Sequence, residues 1–139
     1  MGGLTEVLKN PKVAYPSDVI VEGPAGQAVK VLEKVGRQDQ ILDAGPVSLR
    51  LIGEQLREAE FVLWNGPLGN FEAGFTAGTE ALARLIADSG AYSIVGGGDT
   101  VAAIRHLNLE DKFSYLSTSG GAMLEFIAKG TLPGIEALE

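Results

Sequence analysis

The sequence predicts an α/β fold in which a parallel sheet carries helices on both faces. Two observations support this prediction. From Ile41 onward, strand, loop and helix patterns alternate four times, as they do in chains that form parallel sheets. Glycine-containing turns follow the strands, at Gly45, Gly66, Gly97 and Gly120. Because ligands bind at the carboxyl ends of parallel strands, we expect the four turns to share one edge of the sheet and to form a binding site there.

The elements before Ile41 are short. A helix is predicted over residues 2–9 and ends at Asn10-Pro11. Short apolar runs predict strands at 13–15 and 19–21, followed by a turn over 22–26. Residues 29–35 fit either a strand with a polar side or a helical turn, and their spacing does not decide between the two.

The elements from Ile41 onward follow from hydrophobic spacing. Short apolar runs indicate strands, and apolar residues three or four positions apart indicate helices. The predicted strands are 41–44, 61–64, 92–95 and 113–116, and the predicted helices are 47–57, 76–87, 99–107 and 122–128. The run at 61–64 is continuously apolar, which is typical of a strand covered on both faces. This order is that of a Rossmann-like sheet, and we expect the ordered pattern to end at 132–134.

Composition excludes several classes of protein. The 139 residues are enough for one domain with one core, and a hydrophobic content of 45% excludes a disordered chain. We expect no membrane span, no secretory signal and a cytoplasmic location. No cysteine is present and His106 is the only histidine, which argues against disulfides, cysteine nucleophiles and zinc. The net charge of −7 argues against nucleic acid as a partner but not against a small nucleotide.

The most informative stretch is Gly97-Gly98-Asp99-Thr100, between a predicted strand and a predicted helix. Glycines let a ligand approach the backbone, and the free amides at the start of a helix bind phosphate. Asp99 would repel phosphate, so it is either the helix N-cap or a ligand of a cation such as Mg²⁺. A tight turn with an ordinary capping aspartate is the alternative, and this stretch alone does not decide.

A second glycine turn, Ser117-Thr118-Ser119-Gly120-Gly121, precedes the last long predicted helix. Its amides and hydroxyls could hold an anion. The simpler interpretation is a turn from strand to helix in which Ser119 is the cap. Asp43 also has two possible interpretations. It either lies at the ligand-binding edge of the sheet or caps a helix.

The loop after the strand 61–64 also carries candidate binding residues. Asn65 offers both a donor and an acceptor, and Pro67 fixes the backbone. Glu72 could accept hydrogen bonds from sugar hydroxyls. The alternative is a long surface loop with a solvated glutamate.

Taken together, these segments resemble the C-terminal, nucleotide-binding domain of phosphoglycerate kinase. The matching stretches are 42–46, 62–72, 94–100, 116–125 and 132–135. Their order and spacing agree from about Asp18 to the last residue. Several motifs in register are specific to the family, whereas any one of them would be weak.

The resemblance implies a glycolytic phosphotransferase that moves a phosphoryl group between 1,3-bisphosphoglycerate and ADP, with ATP/ADP and Mg²⁺ as cofactors. It implies that Gly97, Gly98, Asp99 and Thr100 meet the nucleotide phosphates and that Asp99 binds the Mg²⁺. It also assigns three residues of the loop, Glu72 to the ribose hydroxyls and Asn65 and Pro67 to the lining of the nucleotide site. Gly120 and Gly121 would face the transferring phosphoryl group through their backbone.

The chain departs from the family pattern at three positions. Ile41 and Ser119 stand where glycines are usual, and Asn70 stands where an apolar residue is usual. The resemblance places Ile41 next to the adenine, and both Ile41 and Asn70 could alter the adenine pocket and the affinity for ADP. Ser119 adds a hydroxyl beside the second glycine turn.

The family is also much longer and has two domains. Residues 1–139 are therefore expected to be a single partial domain, roughly the last third of such an enzyme. The resemblance implies that 3-phosphoglycerate binds only with the missing N-terminal domain and that the isolated chain has little or no kinase activity. The alternative is a non-catalytic fragment that associates with itself or with a companion chain through an exposed sheet edge.

Overall fold

The structure is a computed structural model that describes residues 6–7 and 9–138. Within these residues the strands form two sheets of three strands each. The antiparallel sheet has the order β2-β1-β3, with β1 at Asp18–Gly23, β2 at Gly26–Val31 and β3 at Gln40–Ala44. The parallel sheet has the order β4-β5-β6, with β4 at Phe61–Asn65, β5 at Tyr92–Gly96 and β6 at Tyr115–Ser117.

Helices alternate with the strands after β3. They are α1 at Pro46–Leu56, α2 at Ala77–Ser89, α3 at Gly98–His106, α4 at Gly120–Lys129 and the short α5 at Pro133–Glu136. None of the helices in the described part of the chain combines the length and the apolar character needed to cross a lipid bilayer.

The α/β class is confirmed, with helices flanking a parallel sheet. Trp64 and Val95, on one face of the sheet, pack in a core cluster with Leu82 of α2 and Ile104 of α3. On the opposite face, the side chain of Met123 in α4 lies beside Gly96. Ile104 and Val95 are fully buried, and each side chain of this kind stabilises the fold by roughly 1.5–3 kcal/mol. This core holds the carboxyl ends of the parallel strands against the helices that follow them.

The position of β3 differs from the prediction. The strand 41–44 is predicted to join the parallel sheet, but it pairs antiparallel with β1, with Val19 opposite Ala44. Alternation of strands and helices specifies the elements but not the neighbours of each strand, and the β1–β2 hairpin offers β3 an edge. Consequently Gly45 lies against Asp18 and does not join the other three glycine turns.

Several boundaries also differ. Residues 13–15 are not a strand, and residues 29–35 form the end of β2 followed by a 3₁₀ turn at Leu32–Lys34. The last strand begins at Tyr115, where its pairing with Ile94 starts, and Phe113 before it packs in the core. Order continues past 132–134 as α5. The helix predicted over 2–9 lies largely outside the described residues, of which 6–7 are helical.

The buried carboxylate of Asp18 caps α1 from the neighbouring sheet. The amide of Ser48 donates to Asp18 Oδ1 at 2.8 Å and the amide of Val47 to Oδ2 at 3.1 Å. The helix has no side-chain cap from its own N-cap residue, Gly45. Burial alone would raise the pKa of Asp18, but the hydrogen bonds from Ser48 and Val47 outweigh it and lower the pKa below its usual value.

Protonation of Asp18 at low pH should therefore lower the free energy of unfolding. The pKa of Asp18 is lower in the folded state than in the unfolded state, so its carboxylate stabilises the fold at pH values above the unfolded pKa of about 3.9. This stabilisation is lost as the pH falls through the folded pKa. We expect Asp18→Asn to lower the free energy of unfolding by about 1 kcal/mol at neutral pH and to reduce the loss of stability in acid. Urea denaturation at several pH values measures both effects, and an unchanged acid dependence would contradict the assignment.

Candidate functional site

The carboxyl ends of the three parallel strands meet the first turns of α3 and α4. The amide of Gly66, after β4, donates to the carbonyl of Gly96 at 3.3 Å. The amide of Gly97, after β5, donates to the carbonyl of Ser117 at 3.0 Å. Three of the four predicted glycine turns therefore converge at one edge, and we call Asn65, Gly66, Gly96–Thr100 and Ser117–Gly121 the glycine cluster.

Close backbone packing explains why this cluster needs glycine. A Cβ on Gly120 would lie 2.8 Å from Gly97 N, and it would collide with Asn65 Oδ1. A Cβ on Gly96 would lie 2.6 Å from the same Asn65 oxygen and would collide with Met123 Cε. The start of α4 thus rests directly on the tip of β5, with the Asn65 amide beside it. The stretches around Asp99 and Gly120 are neighbours.

The two helix starts carry no side-chain caps. The N-cap of α3 is Gly97, at a φ of 107°, and the N-cap of α4 is Ser119, and neither helix has a hydrogen bond from a capping side chain. Among the described residues, the amides of each first turn therefore have no side-chain partner and can meet a ligand, with the positive end of a helix dipole behind them. Two such ends lie side by side, which is a suitable place for an anion.

This geometry shows which residues occupy the two N-cap positions. Asp99 is not the N-cap of α3, because it lies inside the first turn with its side chain exposed. Among the described residues it makes no hydrogen bond and no ion pair. Ser119 does occupy the N-cap position of α4, but its side chain caps nothing. Instead, the amide of Ser119 donates to Ser117 Oγ at 3.3 Å.

Thr100 carries a buried polar atom without a partner. Its side chain is fully buried, and within the described part of the chain Oγ1 has no hydrogen bond. A Cβ built on Gly97 would lie 3.3 Å from this oxygen, so the hydroxyl sits beside the N-cap of α3. A buried hydroxyl without a partner costs about 1–3 kcal/mol. Such an atom at a helix start indicates that a polar ligand or water belongs there.

The loop after β4 is held by contacts outside the cluster. The amide of Leu68 donates to Thr79 Oγ1 at 3.1 Å, and the amide of Asn70 donates to the carbonyl of Leu42 at 2.8 Å. The amide of Gly78 donates to Asp43 Oδ2 at 2.8 Å. Asp43 is therefore a cap, but it caps α2 rather than the helix that directly follows it.

The predicted site residues fall into two groups. The structure brings Asn65 together with Gly97, Gly98, Asp99, Thr100, Gly120 and Gly121. Pro67 is half-buried just after Gly66, while Glu72 is exposed in a 3₁₀ turn at Phe71–Ala73. No hydrogen bond among the described residues joins Glu72 to the glycine cluster.

Two of the departures noted in the sequence lie near this loop. The side chain of Ile41 is 52% exposed, so the strand presents a branched apolar group to solvent. Asn70 Oδ1 accepts a hydrogen bond from the amide of Ala73 at 3.4 Å, and Asn70 thus helps to form the turn that carries Glu72.

The cluster offers a single carboxylate to a metal. Within residues 6–7 and 9–138, no three His, Cys, Asp or Glu side chains are grouped so that they could hold a metal ion alone. Mg²⁺ is commonly bound by one or two carboxylates together with substrate phosphates and water. Asp99, exposed and unpaired at the start of α3, fits that kind of site.

Comparison with known proteins identifies relatives across most of the chain. The family model for phosphoglycerate kinase matches residues 4–130. A phosphoglycerate kinase from Desulfosudis oleivorans is 43% identical over 136 residues, which cover 94% of this chain and 34% of the relative. One from Baumannia cicadellinicola is 45% identical over 136 residues, covering 96% of this chain and 35% of the relative. The chain thus spans about a third of the length of these curated relatives.

Solved structures agree with this comparison. Phosphoglycerate kinase from Coxiella burnetii superposes with a TM-score of 0.79 at 43% identity, over 96% of this chain and 36% of that structure. Phosphoglycerate kinase from Pyrococcus horikoshii OT3 gives a TM-score of 0.78 at 35% identity, over 92% of this chain and 33% of that structure.

Proposed function

Because the chain belongs to the phosphoglycerate kinase family, we propose that it carries the nucleotide-phosphate side of a site for phosphoryl transfer between 1,3-bisphosphoglycerate and ADP. The observation that carries this proposal is the pair of uncapped helix starts at Gly97 and Ser119, joined by the contact between Gly120 and Gly97. We place the activity in glycolysis and in the cytoplasm, as the family suggests.

Phosphoryl transfer requires mainly positioning and neutralisation of charge. In this proposal, the amides of Gly98, Asp99 and Thr100 hold the nucleotide phosphates at the start of α3. The amides of Gly120 and Gly121 stabilise the charge on the transferring phosphoryl group at the start of α4. Backbone donors suit this role because their positions are fixed before the ligand arrives.

Three residues of β4 and the following loop would position the rest of the nucleotide. Asn65 lies in the glycine cluster and offers its amide group to a phosphate oxygen. Pro67 shapes the backbone beside it, and Glu72 would accept hydrogen bonds from the ribose hydroxyls. The amide of Asn70 donates to the carbonyl of Leu42 in β3 and so fixes the turn that carries Glu72. In this proposal, Glu72 binds the ribose apart from the phosphates.

Asp99 would hold the Mg²⁺ that accompanies ADP or ATP. When bound, the ion neutralises phosphate charge, which the acidic chain itself cannot do with its few basic residues. The carboxylate of Asp99 is free for this purpose, as it has no hydrogen-bond or ion-pair partner among the described residues.

The metal role of Asp99 is open to a direct test. We expect wild type to bind Mg·ADP weakly, and Asp99→Ala to lower that affinity about tenfold or more while leaving binding of ADP in EDTA little changed, because removing the carboxylate removes a ligand of Mg²⁺. Isothermal titration with and without Mg²⁺ measures both affinities. Asp111→Ala, which removes an exposed carboxylate outside the cluster, is the control. Equal losses with and without the metal would count against the assignment.

The remaining length of the relatives would supply the other half of the site. We propose that 3-phosphoglycerate binds only when this additional polypeptide is present, since closure over both substrates excludes water and aligns the reactants. The 139-residue chain alone is expected to show almost no turnover in an assay coupled to NADH oxidation. Normal turnover by the isolated chain would refute this part of the proposal.

A further inference from the structure

Asp43 is buried where β3, the start of α2 and the loop after β4 (residues 66–76) meet. The residue is 3% exposed. Its Oδ2 accepts a hydrogen bond from the amide of Gly78 at 2.8 Å, and its Oδ1 accepts one from the amide of Ala44 at 2.8 Å. A Cβ built on Gly69, in the loop, would lie 2.8 Å from both Cγ and Oδ1 of Asp43. One carboxylate therefore packs against three segments of the chain.

The loop after β4 is attached on both sides of this carboxylate. The amide of Asn70 donates to the carbonyl of Leu42, in β3, at 2.8 Å. The amide of Leu68 donates to Thr79 Oγ1, in α2, at 3.1 Å. The hydrogen bond between Asp43 and α2 lies between these two attachments, so it sets the spacing of β3 and α2 and with it the position of the loop backbone.

Glycine at positions 69 and 78 makes room for the carboxylate. A Cβ on Gly78 would collide with Asp43 Oδ1 and would lie 2.8 Å from Cγ. A Cβ on Gly69 would also collide with the carbonyl oxygen of Phe75, so the loop is folded tightly on itself there. Because the backbone lies this close to Asp43 on two sides, a change in the carboxylate is passed on to the loop rather than absorbed by free space.

The carboxylate of Asp43 forms no ion pair within the described part of the chain. Its partners are backbone amides, and α2 has no side-chain cap from its own N-cap residue, Thr76. The carboxylate therefore stands at the positive end of the α2 dipole and supplies the cap that the helix lacks. An asparagine in its place would keep the shape, but it has no charge and would turn N–H donors towards a backbone N–H group.

We propose that Asp43 is a positioning residue for the ribose side of the site, which holds the loop after β4 in the shape that presents Pro67 and Glu72 to a nucleoside diphosphate. This inference rests on the proposed function, because it takes Glu72 as the residue that binds the ribose. Asp43 itself is buried and acts only through the loop. The phosphate side of the site, at the starts of α3 and α4, is built by other contacts and should not depend on Asp43.

Binding of ADP and of pyrophosphate, both with Mg²⁺, separates the two sides of the site. We expect Asp43→Asn to lower the affinity for ADP about tenfold and to leave that for pyrophosphate within about twofold of wild type, because pyrophosphate carries no ribose. Isothermal titration measures both. Asp18→Asn is the matched control, since Asp18 is equally buried and also caps a helix through backbone amides, but that helix is α1. It should leave both affinities unchanged.

Hydrogen exchange reports on the loop without any ligand. In Asp43→Asn, we expect the amide protons of Leu68 and Asn70 to exchange at least about tenfold faster relative to those of β5, because the loop opens without unfolding the parallel sheet. In Asp18→Asn the ratio should stay that of wild type. Should Asp43→Asn fail to fold, Gly78→Ala, whose Cβ would press on the carboxylate, is expected to give the same split between ADP and pyrophosphate.

Three results would overturn the proposal. They are equal losses of ADP and pyrophosphate affinity in Asp43→Asn, an Asp18→Asn variant that loses as much ADP affinity, and unchanged exchange at Leu68 and Asn70 in Asp43→Asn. Failure of the proposed function gives a different result. A wild type that binds neither ADP nor pyrophosphate would contradict that function, whereas faster exchange confined to Leu68 and Asn70 would still support Asp43 as the residue that positions the loop.

Discussion

Replacing Gly120 by alanine is expected to damage both the fold and the anion site. The new Cβ would meet Asn65 Oδ1 and would lie 2.8 Å from Gly97 N and 3.1 Å from Gly96 C. Two of these neighbours are backbone atoms that cannot turn aside, so α4 must move away from the tip of β5. We expect the free energy of unfolding to fall by about 1–3 kcal/mol, and the affinity for pyrophosphate or ADP to fall at least about tenfold.

Two other glycines serve as controls for this substitution. A Cβ on Gly121 would meet nothing within 4 Å, so Gly121→Ala should keep or slightly raise stability although it lies next to Gly120 in the same helix. Gly134, in α5 and outside the glycine cluster, also has open space around it, and Gly134→Ala should keep wild-type phosphate affinity. Chemical denaturation and isothermal titration give the two quantities. Equal stability of the Gly120 and Gly121 variants would show that the close packing of α4 on β5 is not required.

The helix starts were predictable because their signals are local. A short and largely apolar strand, a glycine turn and a helical spacing lie next to each other in the sequence around Gly97 and again around Gly120. Chain geometry then places both turns at the carboxyl edge once β4, β5 and β6 are parallel. The convergence of these two turns with Gly66 follows from the same rule.

The contacts that shape the site were not predictable, since they join residues far apart in sequence. Asp18 caps a helix 30 residues later, and Asp43 caps one 35 residues later. The sequence relates an aspartate only to the helix that directly follows it, so Asp43 was recognisable as a possible cap but the helix that it caps was not. The antiparallel partner of Ile41 was missed for the same reason, because strand pairing depends on the tertiary fold. Asn65 was identified as a candidate from its place in the loop, but its packing beside Gly96 and Gly120 was not predicted.

Removing the buried hydroxyl of Thr100 is expected to raise the stability of the chain and to weaken its binding of a ligand. Thr100→Val keeps the shape of the side chain but removes a polar atom that is fully buried and has no partner among the described residues. We expect the free energy of unfolding to rise by about 1–2 kcal/mol, with a melting temperature about 3–7 °C higher. We also expect weaker binding of pyrophosphate or ADP, since the hydroxyl beside Gly97 would no longer be available to a ligand.

Thr79→Val is the matched control for this contrast. Thr79 is also fully buried, but its Oγ1 accepts a hydrogen bond from the amide of Leu68 at 3.1 Å. Its removal leaves that amide without a partner and should lower stability by about 1–3 kcal/mol. Differential scanning calorimetry on both variants measures the difference in sign. If Thr100→Val lowered stability as Thr79→Val does, the hydroxyl of Thr100 would be satisfied in the free protein, and the argument that it is kept for a ligand would fail. The opposite signs are expected because a hydroxyl with no structural partner destabilises the free chain and is of use only when a ligand binds.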